Sequence, residues 1–142
     1  MDLREWSAIM KEAGELVEVE AEVDWNLEAA AITAMKNRLG ERILWFKKIK
    51  GYPEGYTLMG DPVVGTWRRN WSRMAQIMGL PGDVAYEDML EEWERRIAAP
   101  VKPVVVSSGP CKDHIHIGKD VNLWEFPGLI SMKAMGADMP AW

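Results

Sequence analysis

Cys111-Lys-Asp-His114-Ile-His116 is the densest set of nucleophilic and metal-ligating side chains in the sequence. In an extended segment His114 and His116 share one face and Cys111 stands three residues before the first, so the trio offers soft and borderline ligands to a transition metal. A fourth protein ligand is not evident, because Asp113 points to the opposite face and no second Cys or His cluster exists. The same residues make a thiol nucleophile and its base only if the pair comes within hydrogen-bond reach and a third group orients the imidazole. Close sequence neighbours seldom achieve that, and the plainer reading is an ordinary cysteine beside two loop histidines. Arg68, Arg69 and Arg73, following the Gly60–Gly65 loop, offer guanidinium forks to a phosphate. The stretch GDPVVGTWRR has neither Walker spacing nor GxGxxG, and a solvated or intersubunit ion-pair face is the commoner fate of such clusters. The acidic stripes over Glu15–Glu28 and Glu87–Glu94 have the same ordinary reading and single out no carboxylate pair for acid/base work. The residues alone define no complete active site.

The elements that must carry these side chains are legible from periodicity. Leu3, Trp6, Ile9 and Met10 recur at helical spacing behind a capping Asp2, which predicts a helix over 2–13 stopped by a left-handed Gly14. Leu16, Val17, Val19, Ala21 and Val23 among Glu18, Glu20 and Glu22 predict a half-buried strand with an acidic face. Asp24 or Asn26 then caps a helix over 27–39 whose inward face would be Leu27, Ala30, Ala31, Ala34 and Met35. Ile43–Phe46 is a short apolar run that suits a buried strand, and Tyr56–Met59 can return from the turn at Gly51, Pro53 and Gly55. A third helix is predicted over 67–79 behind Thr66, with Trp67, Trp71, Met74, Ala75 and Met78 on one face. A fourth runs from a capping Asp83 to Ala98, with Tyr86, Leu90, Trp93 and Ile97 as its apolar stripe. Pro100 and Pro103 end it, and Val104–Val106 reads as a last buried strand. From Ser107 the regular pattern fails: Gly and Pro alternate with Trp124, Phe126, Met132, Met135, Met139 and Trp142. The expected fold class is α/β in mixed α+β layers: a small mixed sheet flanked by about four helices, with an extended C-terminal tail.

Composition bounds the remaining possibilities. A chain of 142 residues, 48% hydrophobic and 27% charged, is one domain, 1–142, large enough to bury a core without disulfides. A single cysteine forms no intrachain bridge. The net charge of −5 argues against nucleic acid or anionic lipid as a general partner. No apolar run reaches the length of a membrane span and the N-terminus has no signal-like stretch, so the expected location is cytoplasmic. Eight Trp and ten Met against two Phe suit a contact surface as well as a core. The aperiodic apolar segment 107–142 is therefore expected to lie along a partner rather than bury itself.

Four blocks, in order over about residues 2–127, resemble the N-terminal region of the UbiD family of reversible decarboxylases. DLREW with GELVEVEAEVDWNLEAAAI resembles the family's opening helix, strand and turn, with Trp25 where proline is common. ILWFKKIKGYP resembles its strand and KGYP-like turn, GTWRRNWSRMAQIMGLP its Arg-containing helix, and KPVVVSSGPCKDHIHIGKDVNLWEFP its GPCK segment. The resemblance implies that GPCK is structural, so no metal ligand is expected among Cys111, His114 and His116. It also implies prenylated FMN with Mn and K ions as the cofactors. Family members continue into a flavin-binding barrel that carries the catalytic and cofactor-holding residues, whereas this sequence reads EFPGLISMKAMGADMPAW. No catalytic residue is carried over, and the cofactor-binding residues are not identified. The resulting expectation is the small subunit of a split (de)carboxylase for an aromatic or heteroaromatic acid, in a hetero-oligomer with a larger catalytic subunit. A non-catalytic interaction module and a fragment of a full-length enzyme are the alternatives.

Overall fold

Asp2 opens the first helix, α1 (Leu3–Glu12), as half of a capping box: its carboxylate accepts from the backbone N–H of Arg4 and Glu5, and Glu5 accepts from the N–H of Asp2. Gly14, at φ +72°, turns the chain into β1 (Leu16–Val23). Helix α2 (Glu28–Leu39) crosses over to β2 (Ile43–Ile49), which pairs parallel with β1, and β3 (Leu58–Gly60) returns antiparallel to β2. The sheet is thus mixed, in the order β1-β2-β3. A computed structural model describes residues 1–39, 42–65, 70–128, 130, 132–134 and 137–139, with side chains at all of these except 37, 38, 132–134 and 137–139.

The first half of β2, Ile43–Phe46, reads as an unbroken apolar run because both of its faces are covered. Ile43 and Trp45 face Trp6 and Met10 of α1, while Leu44 and Phe46 pack with Ala29 of α2, Val23 and Leu58. Trp6 is buried with its indole N–H donating to the carbonyl of Pro62 at 2.8 Å, which ties α1 to the loop after β3. Two further helices, α3 (Ser72–Ile77) and α4 (Tyr86–Ala98), meet in a smaller cluster of Ala75, Met78 and Met89. Beyond α4 come short 3-10 turns at Pro110–Lys112, Gly118–Asp120 and Leu123–Glu125, and then a hairpin of β4 (Met132–Ala134) and β5 (Ala137–Met139). No described helix is long and apolar enough to cross a membrane.

The expected mixed layers are present, and four details differ. Helix α2 turns Ala29, Thr33 and Lys36 inward and leaves Ala31, Ala34 and Met35 exposed. Its apolar residues are scattered round the helix, so periodicity cannot set its rotation. The close approach of β3 does: a Cβ on Gly60 would overlap the Thr33 side chain, whose hydroxyl donates to the carbonyl of Ala29 at 2.8 Å. Helices α3 and α4 begin at Ser72 and Tyr86, so Asp83 is not the cap; Thr66–Arg69 lie outside the described residues. The stripe on α4 is not core, since only Met89 of that helix is buried. The predicted strand at Val104–Val106 is absent, and these valines are 85, 95 and 65% exposed. An apolar run signals that burial is favourable, but not which surface supplies it.

Candidate functional site

The three constellations singled out in the sequence are dispersed. Cys111 lies exposed in the 3-10 turn Pro110–Lys112, and His114 and His116 follow on an exposed segment. His116 donates from Nδ1 to the carbonyl of Asp120 at 3.0 Å, closing the next turn rather than meeting the thiol. Arg73 is buried: Nη1 donates to the carbonyl of Val64 at 2.6 Å and Nη2 stands 3.7 Å from Glu15. Desolvation lowers its pKa despite that carboxylate. Its guanidinium thus pins the loop after β3 between α3 and the start of β1. Arg68 and Arg69 lie outside the described residues. Glu18 of the acidic strand is shared by Lys11 at 2.8 Å and Lys47 at 3.7 Å, and the hydrogen bond from Lys11 is the main cause of its lowered pKa.

What the fold does assemble is an aromatic clasp that holds part of the tail. The β1–α2 turn supplies Trp25, and the β2–β3 turn supplies Tyr52 and Tyr56; Trp124 and Phe126 come from the tail. Trp25 sits 6.4 Å edge-on to Tyr52 and 6.0 Å from Trp124, while Tyr56 is 6.4 Å from Phe126. These separations suit favourable aromatic pairs. The Tyr52 hydroxyl lies 3.0 Å from the carbonyl of Trp124 and 3.3 Å from that of Phe126, and donates into that pair. Lys50 and Asp24 join the same two turns at 2.8 Å, and this hydrogen bond lowers the Asp24 pKa and raises that of Lys50. Further on, Ile130 donates to the carbonyl of Trp25 and accepts from the N–H of Leu27, bridging Asn26, and its side chain is buried. Leu27 is held in the left-handed region at φ +72° by this turn. The segment expected to lie on a partner therefore has one side seated on its own domain. In the sequence Trp25 stood out only as a departure from the proline common at that turn, and neither it nor the tyrosines gave a sign of their tail contacts.

A groove of about 570 Å³ opens between α1 and the sheet, lined by Leu3, Ser7, Lys11, Trp45 and Met59 among others. It is mostly apolar, and Lys11 is engaged by Glu18. A hard divalent cation needs several converging oxygen or nitrogen ligands. No group of three or more His, Cys, Asp or Glu side chains converges among the described residues. The donor set described on this chain does not fit such a cation.

Comparison with known proteins gives this geometry its context. Residues 7–93 match the family model for the N-terminal domain of 3-octaprenyl-4-hydroxybenzoate carboxy-lyase. The chain is 34% identical over 129 residues to phenolic acid decarboxylase of Sedimentibacter hydroxybenzoicus, covering 87% of this chain and 25% of that one. It is 29% identical over 130 residues to pyrrole-2-carboxylic acid decarboxylase of Pseudomonas aeruginosa, covering 89% and 26%. Among solved structures, the open form of S. hydroxybenzoicus vanillic acid decarboxylase ShVdcCD, with truncated ShVdcD, superposes with a TM-score of 0.73 at 33% identity. That match covers 93% of this chain and 28% of the other. An evolved dimeric form of the UbiD-class enzyme HmfF from Pelotomaculum thermopropionicum, in complex with prFMN, gives 0.70 at 28% identity, over 92% and 28%. The chain spans about a quarter of the length of the curated relatives it matches.

Proposed function

The chain belongs to the UbiD carboxy-lyase family as its N-terminal domain, and from that premise we propose that it is the small subunit of a split decarboxylase or carboxylase. The larger subunit carries the catalytic residues and prenylated FMN with its Mn and K ions. The substrate is an aromatic or heteroaromatic carboxylic acid, the class named for the phenolic acid and pyrrole-2-carboxylic acid relatives. The observation that carries this reading is the match itself: nearly the whole chain reproduces one fold unit of enzymes about four times its length. The cofactor supplies the carbon chemistry, and protein groups must position and tune it. On this reading the small subunit contributes no reacting group; it braces the partner's cofactor domain.

Native mass spectrometry with a flavin absorbance spectrum, on the protein purified gently from its own cells, tests the proposal. The expected result is a complex of this chain with a larger, flavin-bearing polypeptide. A lone colourless chain overturns it, as does a stable complex without flavin, which would make the chain an interaction module. Recovery of this sequence only at the head of one longer polypeptide would make it a fragment of an unsplit enzyme.

A further inference from the structure

Helix α4 presents an apolar stripe that the described residues cover only in part, Trp71 packing on Tyr86 at 5.3 Å. Tyr86, Leu90, Trp93 and Ile97 are 45, 38, 43 and 62% exposed, although their spacing is that of a helix face made for burial. The helix is fixed from its other side, by Met89 in the small cluster and by Arg96, which donates to the carbonyl of Met78 at 2.7 Å. The stripe leads directly into Val101 and Val104–Val106, which are barer still. From residue 100 to 106 the main chain makes no hydrogen bond among the described residues; the carbonyl of Ser107 accepts from Lys112 Nζ at 3.1 Å. An apolar helix face thus runs on into an extended segment whose amides and carbonyls are open to pairing, a combination that marks contact surfaces in soluble proteins.

Charge indicates what kind of surface covers it. Five carboxylates and two guanidiniums flank the stripe on α4, and both guanidiniums are taken up by Glu92. Two copies of the chain meeting stripe to stripe would oppose like-charged rims, which disfavours an isologous dimer. We propose that the α4 stripe and the valine run form one docking surface, and that its occupant is the flavin-binding subunit, through an apolar patch rimmed by lysine or arginine. This rests on the split-enzyme reading above. The apolar anchors supply affinity by desolvation at the centre, while the carboxylates select register and partner at the rim.

The test is co-purification from the protein's own cells of the tagged full chain and three variants: Ile97→Asp, Val105→Asp and, on the exposed face of α2, Met35→Asp. All three positions are more than half exposed, and unchanged thermal midpoints of the isolated chains verify folding. The expected result is that the unaltered chain and Met35→Asp bring down the flavin-bearing polypeptide, while Ile97→Asp and Val105→Asp recover about tenfold less or none. Hydrogen exchange should show amides 104–106 protected in the complex and fast in the free chain. Undiminished recovery with both α4-side variants overturns the surface and leaves the split-enzyme reading standing, as does a loss confined to Met35→Asp. Association of the unaltered chain with itself alone, or with nothing, overturns both.

Discussion

Arg73 shows how one buried charge can serve the fold after its sequence context suggested a ligand. Its guanidinium donates to the carbonyl of Val64 and approaches Glu15, so Arg73→Met takes this charged donor from the Val64 carbonyl and loosens the loop after β3. A hydrogen bond from a charged donor contributes roughly 1.5–3 kcal/mol. Urea unfolding of Arg73→Met should therefore show a loss of about 2 kcal/mol with secondary structure retained. Glu92 makes a second case at the surface. Hydrogen bonds from Arg95 and Arg96 pull its pKa from an ordinary 4.5 to about 2. A carboxylate more acidic folded than unfolded favours the folded helix end wherever it is ionised, fully above about pH 4.5 and progressively less as pH falls towards 2. A carboxyl-carbon NMR titration should place Glu92 well below the ordinary glutamate value of 4.5. The last turn of that helix should fray over the same interval, and Glu92→Gln should remove that pH dependence.

At the scale of elements, two contacts decide how the layers lie. Gly60 lets β3 run against Thr33 of α2, and a methyl group there has to displace a buried side chain. Gly60→Ala should cost roughly 1–3 kcal/mol, the usual range for overpacking, with part recovered in Gly60→Ala/Thr33→Ala, which clears the space. Thermal melts of the four combinations measure that coupling. The clasp joins three connections that have no regular structure in common: the β1–α2 turn, the β2–β3 turn and residues 124–126. Trp25 holds the centre of it. Trp25→Ala should release the tail while leaving the sheet intact, seen as faster proteolytic cleavage between 101 and 126 with an unchanged far-ultraviolet spectrum. Unaltered cleavage would show that the tyrosines and Ile130 suffice to hold the segment.

For the whole molecule, the described surface divides into a covered side, where α1, α2 and the clasp enclose the sheet, and an open side formed by α4 and residues 101–106. The tail belongs partly to each. Deleting 122–142 removes the buried Ile130 together with the clasp residues Trp124 and Phe126, so the truncated chain should keep its secondary structure but melt lower. The loss should be about 2–5 kcal/mol, the range for removing a large buried aliphatic side chain. Global unfolding on circular dichroism would instead make the tail part of the core. On the proposed split-enzyme reading, binding of the larger subunit should weaken as well, because the clasp sets where the chain lies after the valine run.

Helix and strand positions were legible in the sequence where one physical signal sufficed. The capping Asp2, the alternation from Leu16 to Val23 and the apolar run from Ile43 each name their element, because local hydrogen bonding and side-chain period act within a few residues. The four matched blocks likewise carried the family without any coordinates. The rotation of α2 was not legible, since its inward line is chosen by Gly60, remote in sequence and adjacent in space. Nor was the bareness of Tyr86, Leu90, Trp93 and Ile97, whose spacing states only that the face is apolar. The same limit hid the clasp: Trp25, Tyr52 and Trp124 meet through turns whose geometry is set by the strands they join. Sequence by itself determined which segments favour burial and in what local form. Tertiary structure alone decided against what, because burial is a property of pairs of surfaces and the second surface is named nowhere near the first.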